Sequence, residues 1–406
     1  MENKSKETVT EQQKKPSPVY DQILQVLYAP RKAFKEIAQE PKYLGPILIL
    51  ILFVAANTAY GYTIISKSYI EQTLPKVDAS TGQFDAWTEN ATLWNSAPGV
   101  NITPNFNDFV NSSYDGNRSI SFSAVNSSQI FMQLMNVGPV NCSGPDGYKN
   151  VSLRIEMVDP LTAPSNASIY LFSGSNSNYL YYNLTDTLSD MSASVWNNLT
   201  IPLATESWVN NGADWSNITG LKLEVGWHQN FTTITMLVDG LFFRGLFQTP
   251  MDAAGASYLF SYSLSSVLQF AIEWIFVSGI IFMAARGLGA KTVWKPILIL
   301  VGFALIVLVV QTLINIIAIS TLPNLYYSFE FLGGTTTEVS AATNRLYDQT
   351  ALVSAISGYV RIATLAWLVA LCAVASRLRT ELPWIKSALI SIVAVVVTTI
   401  VMFLFT

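Results

Sequence analysis

The sequence contains little of what most catalytic or disulfide-stabilised proteins need. Its 406 residues include one histidine, His228, and two cysteines, Cys142 and Cys372. Most metal-ligand clusters, histidine-based catalytic triads and disulfide frameworks are therefore excluded. Charged residues make up only 12% of the chain, about half the share typical of a soluble protein. Because the net charge is only -4, nucleic acid is not an expected partner.

Apolar residues are abundant instead, at 50% of the chain with a mean hydropathy of +0.35. This composition is typical of a membrane protein, whose first partner is the lipid bilayer. No secretory signal precedes the first apolar run, because residues 1–20 are polar, so this run is expected to act as an uncleaved insertion signal. Five segments are long enough to cross a hydrocarbon layer of ~30 Å: Leu44–Ile65, Tyr258–Ala284, Pro296–Leu322, Ala351–Ala375 and Trp384–Phe405.

The distribution of basic residues predicts the orientation of these spans. Residues 1–44 and the short loops after the second and fourth spans hold 14 of the 23 lysines and arginines. Between Asp78 and Pro250, in contrast, 14 acidic residues face five basic ones. By the positive-inside rule, the N-terminus is cytoplasmic, and the long segment after the first span and the C-terminus lie outside the cell membrane.

Asparagine sequons support this orientation, because they concentrate in the segment assigned to the outside. Chance would give about four Asn-x-Ser/Thr sites in a stretch of this composition. An Asn- and Ser-rich surface explains part of the excess, and N-glycosylation explains the rest. The twelve sites are Asn90, Asn101, Asn111, Asn117, Asn126, Asn141, Asn150, Asn166, Asn183, Asn198, Asn217 and Asn230. Many sequons without paired cysteines favour an archaeal cell surface over a eukaryotic secretory organelle.

The segment before the first span predicts two short amphipathic helices over residues 19–43. Ala33, Phe34 and Ile37 form an apolar face, opposite the basic side chains of Arg31, Lys32 and Lys35. Such a helix lies flat on an anionic membrane surface. The alternative is a docking face for a cytosolic partner. Residues 1–18 are interpreted as a disordered cytoplasmic tail.

Several motifs in the membrane half resemble the Yip family. They are Ile23–Pro30, Ala33–Ala38 with Pro41 and Gly45–Leu48, Gly287–Lys291 with Gly302–Ala304, and Arg379–Pro383 with Lys386–Leu389. The resemblance covers a little over 200 residues and implies five spans, a cytosolic N-terminus and an external C-terminus. It also implies a non-enzymatic membrane adaptor, since eukaryotic members interact with Rab-type GTPases. The long insert after the first span is not part of the family pattern.

Between residues 78 and 248 the hydrophobic period changes to two. About eight short strands alternate there with turns rich in Gly, Pro, Asn, Asp and Ser. The expected architecture is therefore a five-span α-helical bundle, residues 44–66 and 257–406, with an inserted extracytoplasmic all-β sandwich of the jelly-roll type.

Parts of this insert, including Trp196–Leu203 and Val238–Leu241, are similar to jelly-roll carbohydrate-binding modules. The resemblance implies that aromatic side chains bind sugars, because an aromatic ring suits the apolar face of a pyranose. The proposed ligand-binding residues are Tyr179, Tyr181, Tyr182 and Trp227, with Trp87 and Trp94 as further possibilities. The alternative is that these aromatics belong to the core or simply cover a sheet. The expected partners are surface glycans or envelope glycoproteins.

Asp239 falls where related modules hold a structural Ca²⁺, although a role in an Asp-Gly turn is the alternative. No other cofactor is expected. No acidic pair suited to glycoside cleavage stands out, so the protein is predicted not to be an enzyme. A surface glycan hydrolase is the less favoured alternative.

Two charged residues and two amides inside the predicted spans form a candidate polar cluster: Glu273, Arg361, Gln311 and Asn315. Because a charge in the bilayer is expensive, we expect Glu273 and Arg361 to pair, joined by Gln311 and Asn315 on one helix face. This cluster is interpreted as a clamp between helices. The alternative is an ion or proton path in a transporter or channel component.

Overall fold

The structure is a computed structural model that describes residues 17–77 and 86–405. It divides into two compact units. The helical unit comprises the described residues up to Lys67, Ala254–Pro323 and those from Gln349 onward, and the strand unit comprises Ser68–Ala253 and Asn324–Asp348. The predicted disordered tail lies almost entirely outside the described residues, as do residues 78–85 at the start of the predicted sandwich.

Five helical segments are long and apolar enough to cross a membrane, which confirms the five predicted apolar helices. The third segment, Trp294–Ser320, consists of two helices that meet at Leu305. The helices in chain order are α1 (Val19–Tyr28), α2 (Pro30–Gln39), α3 (Leu44–Lys67), α4 (Thr185–Ser189), α5 (Pro250–Ala254), α6 (Ser257–Gly287), α7 (Trp294–Ala304), α8 (Ile306–Ser320), α9 (Phe329–Gly333), α10 (Thr336–Thr380) and α11 (Trp384–Phe405). A short 3₁₀ turn covers Ala91–Leu93.

The helical unit is held together by close packing of small and large apolar residues. Helix α3 packs against α6 and α8, and α6 packs against α11. Gly45 permits a further contact, between α3 and α7, because a Cβ at that position would lie only 1.9 Å from the ring of Phe303. Phe53 and Phe270 meet across α3 and α6 with ring centroids 5.6 Å apart.

The two N-terminal helices differ in detail from the prediction. The predicted apolar face of α2 exists, but Ala33, Phe34 and Ile37 are buried in the core of the helical unit rather than free to enter a lipid surface. The apolar face of α2 therefore packs against other side chains of the protein. The exposed apolar stripe lies instead on α1, at Tyr20, Leu24 and Tyr28.

The strand unit is a hydrogen-bonded set of antiparallel strands, apart from one parallel pair. Several predicted strands merge, because the chain continues extended through residues expected to form loops. The strands are β1 (Ser68–Leu74), β2 (Trp94–Asn95), β3 (Asn101–Asn105), β4 (Ser119–Val140), β5 (Asn150–Asp159), β6 (Asn166–Ser173), β7 (Ser175–Asn183), β8 (Asn197–Pro202), β9 (Val209–Asn211), β10 (Ile218–Gln248) and β11 (Leu325–Tyr327).

Strands β4 and β10 are long enough to belong to both layers of a sandwich. The first half of β10 pairs with β6, and its second half pairs with β5 on the same edge. The register between β4 and β10 shifts between Gly226 and Phe231, and such a bulge lets a strand bend from one layer to the other. Side chains from both halves fill one continuous apolar core, including Leu223, Met236 and Leu153.

The boundary of the strand unit differs from the predicted one, which placed residues 324–348 with the spans. Strand β11 pairs in parallel with β1, and β1 pairs with the end of β10. Ion pairs hold the rest of this segment, since Arg154 binds Glu338 at 2.8 Å and Arg244 binds Glu330 at 2.6 Å. A segment between two apolar runs therefore completes the sandwich, which no local pattern indicated.

Candidate functional site

Four aromatic side chains and a lysine occupy the face of the first sandwich layer that points away from the core. This aromatic face consists of Phe131 on β4, Tyr170 on β6, Tyr179 and Tyr181 on β7, and Lys222 on β10. Their sequence neighbours point the opposite way into the core, for example Leu171, Leu180 and Leu221. Because side chains alternate along each strand, these residues lie on the outer face and their neighbours lie in the core.

Register brings these side chains side by side. Tyr170 lies directly opposite both Tyr181 and Lys222, in a row across three strands. The ring centroid of Tyr170 is 5.3 Å from that of Tyr181 and 5.6 Å from that of Tyr179, both in edge-to-face geometry. Such contacts add about 0.5–1.5 kcal/mol each, so Tyr170 holds the other two rings in place.

Lys222 supplies the charge at the centre of the aromatic face. Its Nζ lies 4.2 Å from the ring centroid of Tyr170 and 5.7 Å from that of Phe131. It also forms an ion pair of 2.8 Å with Glu224, two residues along the same strand face. Burial, and then the Glu224 charge, raise the pKa of Tyr170 above its usual value, so this phenol stays neutral. Since Lys222 covers the ring of Tyr170, Tyr179 and Tyr181 are the rings left for a ligand.

Polar and apolar groups surround these two rings. Val209 on the edge strand β9 is opposite Tyr181 and is 62% exposed. Asn183 follows Tyr181 on the same strand face and is exposed. Half-buried rings beside an amide and a paired charge can stack on an apolar ligand face and hydrogen-bond its hydroxyl groups.

Two of the predicted ligand-binding aromatics belong to the core side instead. Trp227 is 7% exposed, and its Nε1 donates a hydrogen bond of 3.0 Å to the carbonyl oxygen of Thr162. Tyr182 packs against the core, with its ring 5.1 Å from that of Trp208. The reason is alternation, because Trp227 shares the inward face of β10 with Val225. The other two proposed tryptophans, Trp87 and Trp94, are also buried.

The predicted glycosylation sites are almost all accessible. Eleven of the twelve sequon asparagines are exposed, and Asn150 is half-buried. At Asn90 and Asn141 the side-chain oxygen accepts hydrogen bonds from the backbone N–H and hydroxyl of the residue two positions later. Accessible side chains are what a glycosyltransferase requires, and occupancy stays a prediction.

Asp239 is fully buried on β10 and its carboxylate is surrounded by donors. It accepts hydrogen bonds from the backbone N–H of Val110 at 2.7 Å and of Gly240 at 2.8 Å, and from the Thr88 hydroxyl at 3.1 Å. These contacts fix the backbone at an irregularity within β10, where its register to β5 shifts after Asp239, and not at the Asp-Gly turn given as the alternative. Within residues 17–77 and 86–405 no three His, Cys, Asp or Glu side chains are grouped as a metal site would need. A Ca²⁺ at Asp239 stays a prediction.

The predicted intramembrane cluster forms only in part. Gln311 and Asn315 line one cavity of the helical unit, and Gln269, which lines it too, donates a hydrogen bond of 3.1 Å to Glu273. Arg361 is exposed and has no nitrogen within 4.0 Å of the Glu273 carboxylate, so the expected pair is not formed. The charge of Arg361 acts on Glu273 only from a longer distance.

Sequence reasoning missed Tyr170, Lys222, Glu224 and Phe131. A signal for them exists, because each lies between two apolar residues of a strand and therefore on its outer face. What the sequence could not provide was the order of the strands, which makes Tyr170 the neighbour of both Tyr181 and Lys222.

No family model matches the chain, and no curated protein was found to match it. The resemblance to the Yip family therefore stays a prediction. Some solved structures are similar in part.

A family 11 carbohydrate-binding module from Clostridium thermocellum, in complex with a β-1,3-1,4-mixed-linked tetrasaccharide, is 13% identical with a TM-score of 0.27. That similarity covers 42% of this chain and 94% of the module. A family 30 module of a Clostridium thermocellum cellulosomal cellulase is 11% identical with a TM-score of 0.28, over 39% and 90% of the two chains. A β-1,2-glucanase from Parabacteroides distasonis is 16% identical with a TM-score of 0.27, over 37% of this chain and 22% of the enzyme.

Proposed function

We propose that this chain is a non-catalytic, membrane-anchored surface protein whose strand unit binds glycans through the aromatic face. One observation carries the proposal: the rings of Tyr179 and Tyr181 are braced by Tyr170 on the outer side of a sheet. An ion pair, Lys222 with Glu224, stands beside them at 2.8 Å. A pyranose can stack its apolar face on such rings and direct its hydroxyl groups to the charged pair and the neighbouring amide.

The proposal places the strand unit and the C-terminus outside the membrane and the N-terminus in the cytoplasm. The clustering of lysines and arginines around residues 1–44 and two short loops supports this orientation. The exposure of eleven sequon asparagines agrees with it, since an outside surface is where they would be glycosylated. A sandwich whose two longest strands serve both layers supports the jelly-roll type.

Several contacts support a binding role rather than a catalytic one. Three acidic side chains of the strand unit form ion pairs: Glu71 and Glu330 with Arg244, and Glu224 with Lys222. A glycosidase needs two carboxyl groups free to face the scissile bond. A scaffold or adaptor that links surface glycans or envelope glycoproteins to the membrane requires only the aromatic face and the spans.

The test is binding of the full chain in lipid nanodiscs to an array of glycans and to envelope polysaccharide from its source. Tyr179→Ala and Tyr181→Ala are each expected to weaken saturable binding about tenfold, the equivalent of ~1.4 kcal/mol of lost stacking. Phe106→Ala is the matched control, because Phe106 is 58% exposed and follows β3, which pairs with the other half of β4. Equal binding by all three variants and the parent chain would overturn the proposal.

Asn183 allows a second binding experiment, on the effect of glycosylation. This sequon asparagine lies two residues from Tyr181 on the same exposed strand face, about 7 Å along the strand. A sugar attached there would cover the rings. Glycosylated chain should therefore bind less glycan than the Asn183→Gln variant, whereas changing Asn217, far along the chain on a different turn, to Gln should have no effect.

A further inference from the structure

A polar cavity of about 200 Å³ lies within the helical unit. Helices α3, α6 and α8 contribute its walls. Asn57, one of its lining residues, lies roughly 20 Å along α3 from Leu44 and roughly 15 Å from Lys67 at 1.5 Å per residue, so the cavity is well inside the span. Its polar lining residues are Asn57, Tyr60, Gln269, Gln311, Thr312 and Asn315.

Part of this lining is a conventional contact between helices. The Thr312 hydroxyl donates to Asn57 Oδ1 at 3.1 Å and also lies 3.0 Å from the carbonyl oxygen of Leu308. Contacts of this kind join spans by roughly 0.6 kcal/mol each. They account for the side-chain oxygen of Asn57 and the hydroxyl of Thr312.

The remaining amides are not accounted for in this way. The Oδ1 atom of Asn315 is buried and has no hydrogen-bond partner. Gln269 uses its Nε2 to donate to Glu273, which leaves its Oε1 as the atom available to the cavity. A buried polar atom without a partner costs about 1–3 kcal/mol, so the Asn315 oxygen needs a donor or a positive charge, and the Gln269 oxygen is a second acceptor at the same cavity.

The charge near the cavity indicates whether its oxygens bind a neutral donor or a cation. Glu273 lies one hydrogen bond away from the cavity, through Gln269, and no arginine or lysine nitrogen lies within 4.0 Å of its carboxylate among the described residues. Arg361 acts on this carboxylate only from a longer distance, so it offsets the charge of Glu273 in part, and the oxygen-lined cavity keeps electronegative surroundings in a medium of low dielectric constant. An anion is disfavoured, and a cation gains from both the amide oxygens and the carboxylate.

We propose that this cavity binds one small monovalent cation, an alkali-metal ion or ammonium, through the side-chain oxygens of Asn315 and Gln269. Amide and carbonyl oxygens replace part of the hydration shell of such ions. The cavity has room for about six water-sized molecules at ~30 Å³ each, so the ion keeps part of its water. The charge of the single carboxylate, Glu273, is already offset in part by Arg361, which favours a monovalent over a divalent ion. The inference is independent of glycan binding, because it concerns the other unit.

The test is thermal unfolding of the full chain in nanodiscs, with NaCl, KCl or NH₄Cl compared with N-methyl-D-glucamine chloride at equal ionic strength. At least one small cation should raise the unfolding midpoint by several degrees in a saturable way, because a ligand that binds only the folded chain stabilises it. Glu273→Gln keeps an oxygen acceptor for Gln269 and removes the charge. It should weaken the apparent cation affinity about tenfold or more.

Two further variants separate binding from folding. Asn315→Leu should abolish the cation-dependent shift, and Asn315→Asp, which adds a charge to the cavity, should increase the apparent affinity. The control is Thr58→Val, since Thr58 joins α3 to α6 through the hydroxyl of Ser263 at 2.8 Å but does not line the cavity. It should lower the midpoint equally in all four salts. The proposal fails if no small cation exceeds N-methyl-D-glucamine, or if Thr58→Val removes the shift as fully as Asn315→Leu.

Discussion

Among the described residues, each buried side-chain nitrogen or oxygen of the strand unit has a hydrogen-bond partner, whereas in the helical unit several have none. Arg244 holds Glu71 at 2.8 Å and Glu330 at 2.6 Å. Across residues 17–77 and 86–405, every buried side-chain nitrogen or oxygen without a hydrogen-bond partner lies in the helical unit. These atoms belong to Gln25, Ser278, Thr292, Asn315, Ser376, Arg379 and Ser387.

The two units differ because their buried polar groups obtain partners in different ways. In the strand unit, Glu71, Arg244 and Glu330 are far apart in sequence, and the sheet brings them together. Within an apolar span charges are expensive, so the polar groups there are mostly hydroxyls and amides, whose usual partner is the carbonyl oxygen four residues earlier. Where the hydroxyl does not form that bond, as at Ser278, it has no other hydrogen-bond partner. Paired charges hold the strand unit in one arrangement. Buried polar atoms without a partner, as in the helical unit, are places where a ligand can bind.

The largest effect should come from breaking the pairing in the strand unit. Arg244→Met would leave Glu330 without its partner and Glu71 with only the backbone N–H groups of Gly245 and Phe329. We expect a loss of about 3–5 kcal/mol in the free energy of unfolding, because a buried carboxylate would remain uncompensated. Urea unfolding of the strand unit, followed by tryptophan fluorescence in the full chain, measures this loss.

A triple variant is the control for that experiment. Arg244→Met combined with Glu71→Leu and Glu330→Gln removes both uncompensated charges and should recover most of the stability. Lys222→Met, which breaks a more exposed pair, should cost no more than about 1 kcal/mol. If the single variant at Arg244 cost as little as Lys222→Met, the contrast between the two units would be wrong.

A smaller effect should appear in acid. Burial disfavours the charge of Glu330, but the hydrogen bond and charge of Arg244 outweigh burial and lower the pKa of this carboxyl from 4.5 to about 2. A lowered folded-state pKa contributes stability above the ordinary value, and this contribution is lost as the pH falls from 4.5 towards 2. Unfolding midpoints between pH 6 and 2 should show a steeper decline for the parent chain than for Glu330→Gln. Parallel curves would contradict this assignment.

Glu156 should respond in the opposite direction. It is buried on β5, and burial, followed by the neighbouring Asp108, raises its pKa. A raised folded-state pKa contributes stability at low pH that is lost as the pH rises through it. Glu156→Gln should therefore raise the unfolding midpoint at pH 7 to 8 and have little effect at pH 4. A uniform decrease at every pH would show that the carboxyl group itself is needed.

The smallest effect should come from the unpaired hydroxyls of the helical unit. Ser278 is fully buried and its hydroxyl has no partner, so Ser278→Ala should not destabilise the full chain and should raise its free energy of unfolding by about 1 kcal/mol. Thr312→Val, which removes the bond to Asn57, should instead cost on the order of 0.6 kcal/mol. Thermal unfolding in nanodiscs compares them, and a loss for Ser278→Ala would reveal an unrecognised partner.

Much of the architecture could be predicted from residue patterns. The apolar runs locate the five long apolar helices because length and composition alone decide that a segment is suited to a bilayer. Alternation located most strands, but residues 228–230, which favour a loop, continue β10 as a bulge. The docking of residues 324–348 depends on ion pairs between residues distant in sequence, such as Arg154 with Glu338, and no local pattern encodes them.

The candidate site was only partly predictable for a related reason. Tyr179 and Tyr181 were identified because aromatic residues alternate along one strand. The same alternation assigns Trp227 and Tyr182 to the core, since each shares its strand face with buried neighbours such as Val225 and Leu180. The contribution of Tyr170 depends on which strands are adjacent, and strand order is a property of the whole fold.

The assignment of residues 324–348 to the strand unit has a consequence for biosynthesis. During translation the chain completes β1 through β10 well before it reaches β11, and the segments α6, α7 and α8 are made in between. Glu330 and Glu338 emerge only after those apolar helices, so on a nascent chain Arg244 has only Glu71 as a partner and Arg154 only Asp115. A ribosome stalled between residues 254 and 323 would therefore carry a sandwich that is susceptible to proteolysis along β1 and at the end of β10.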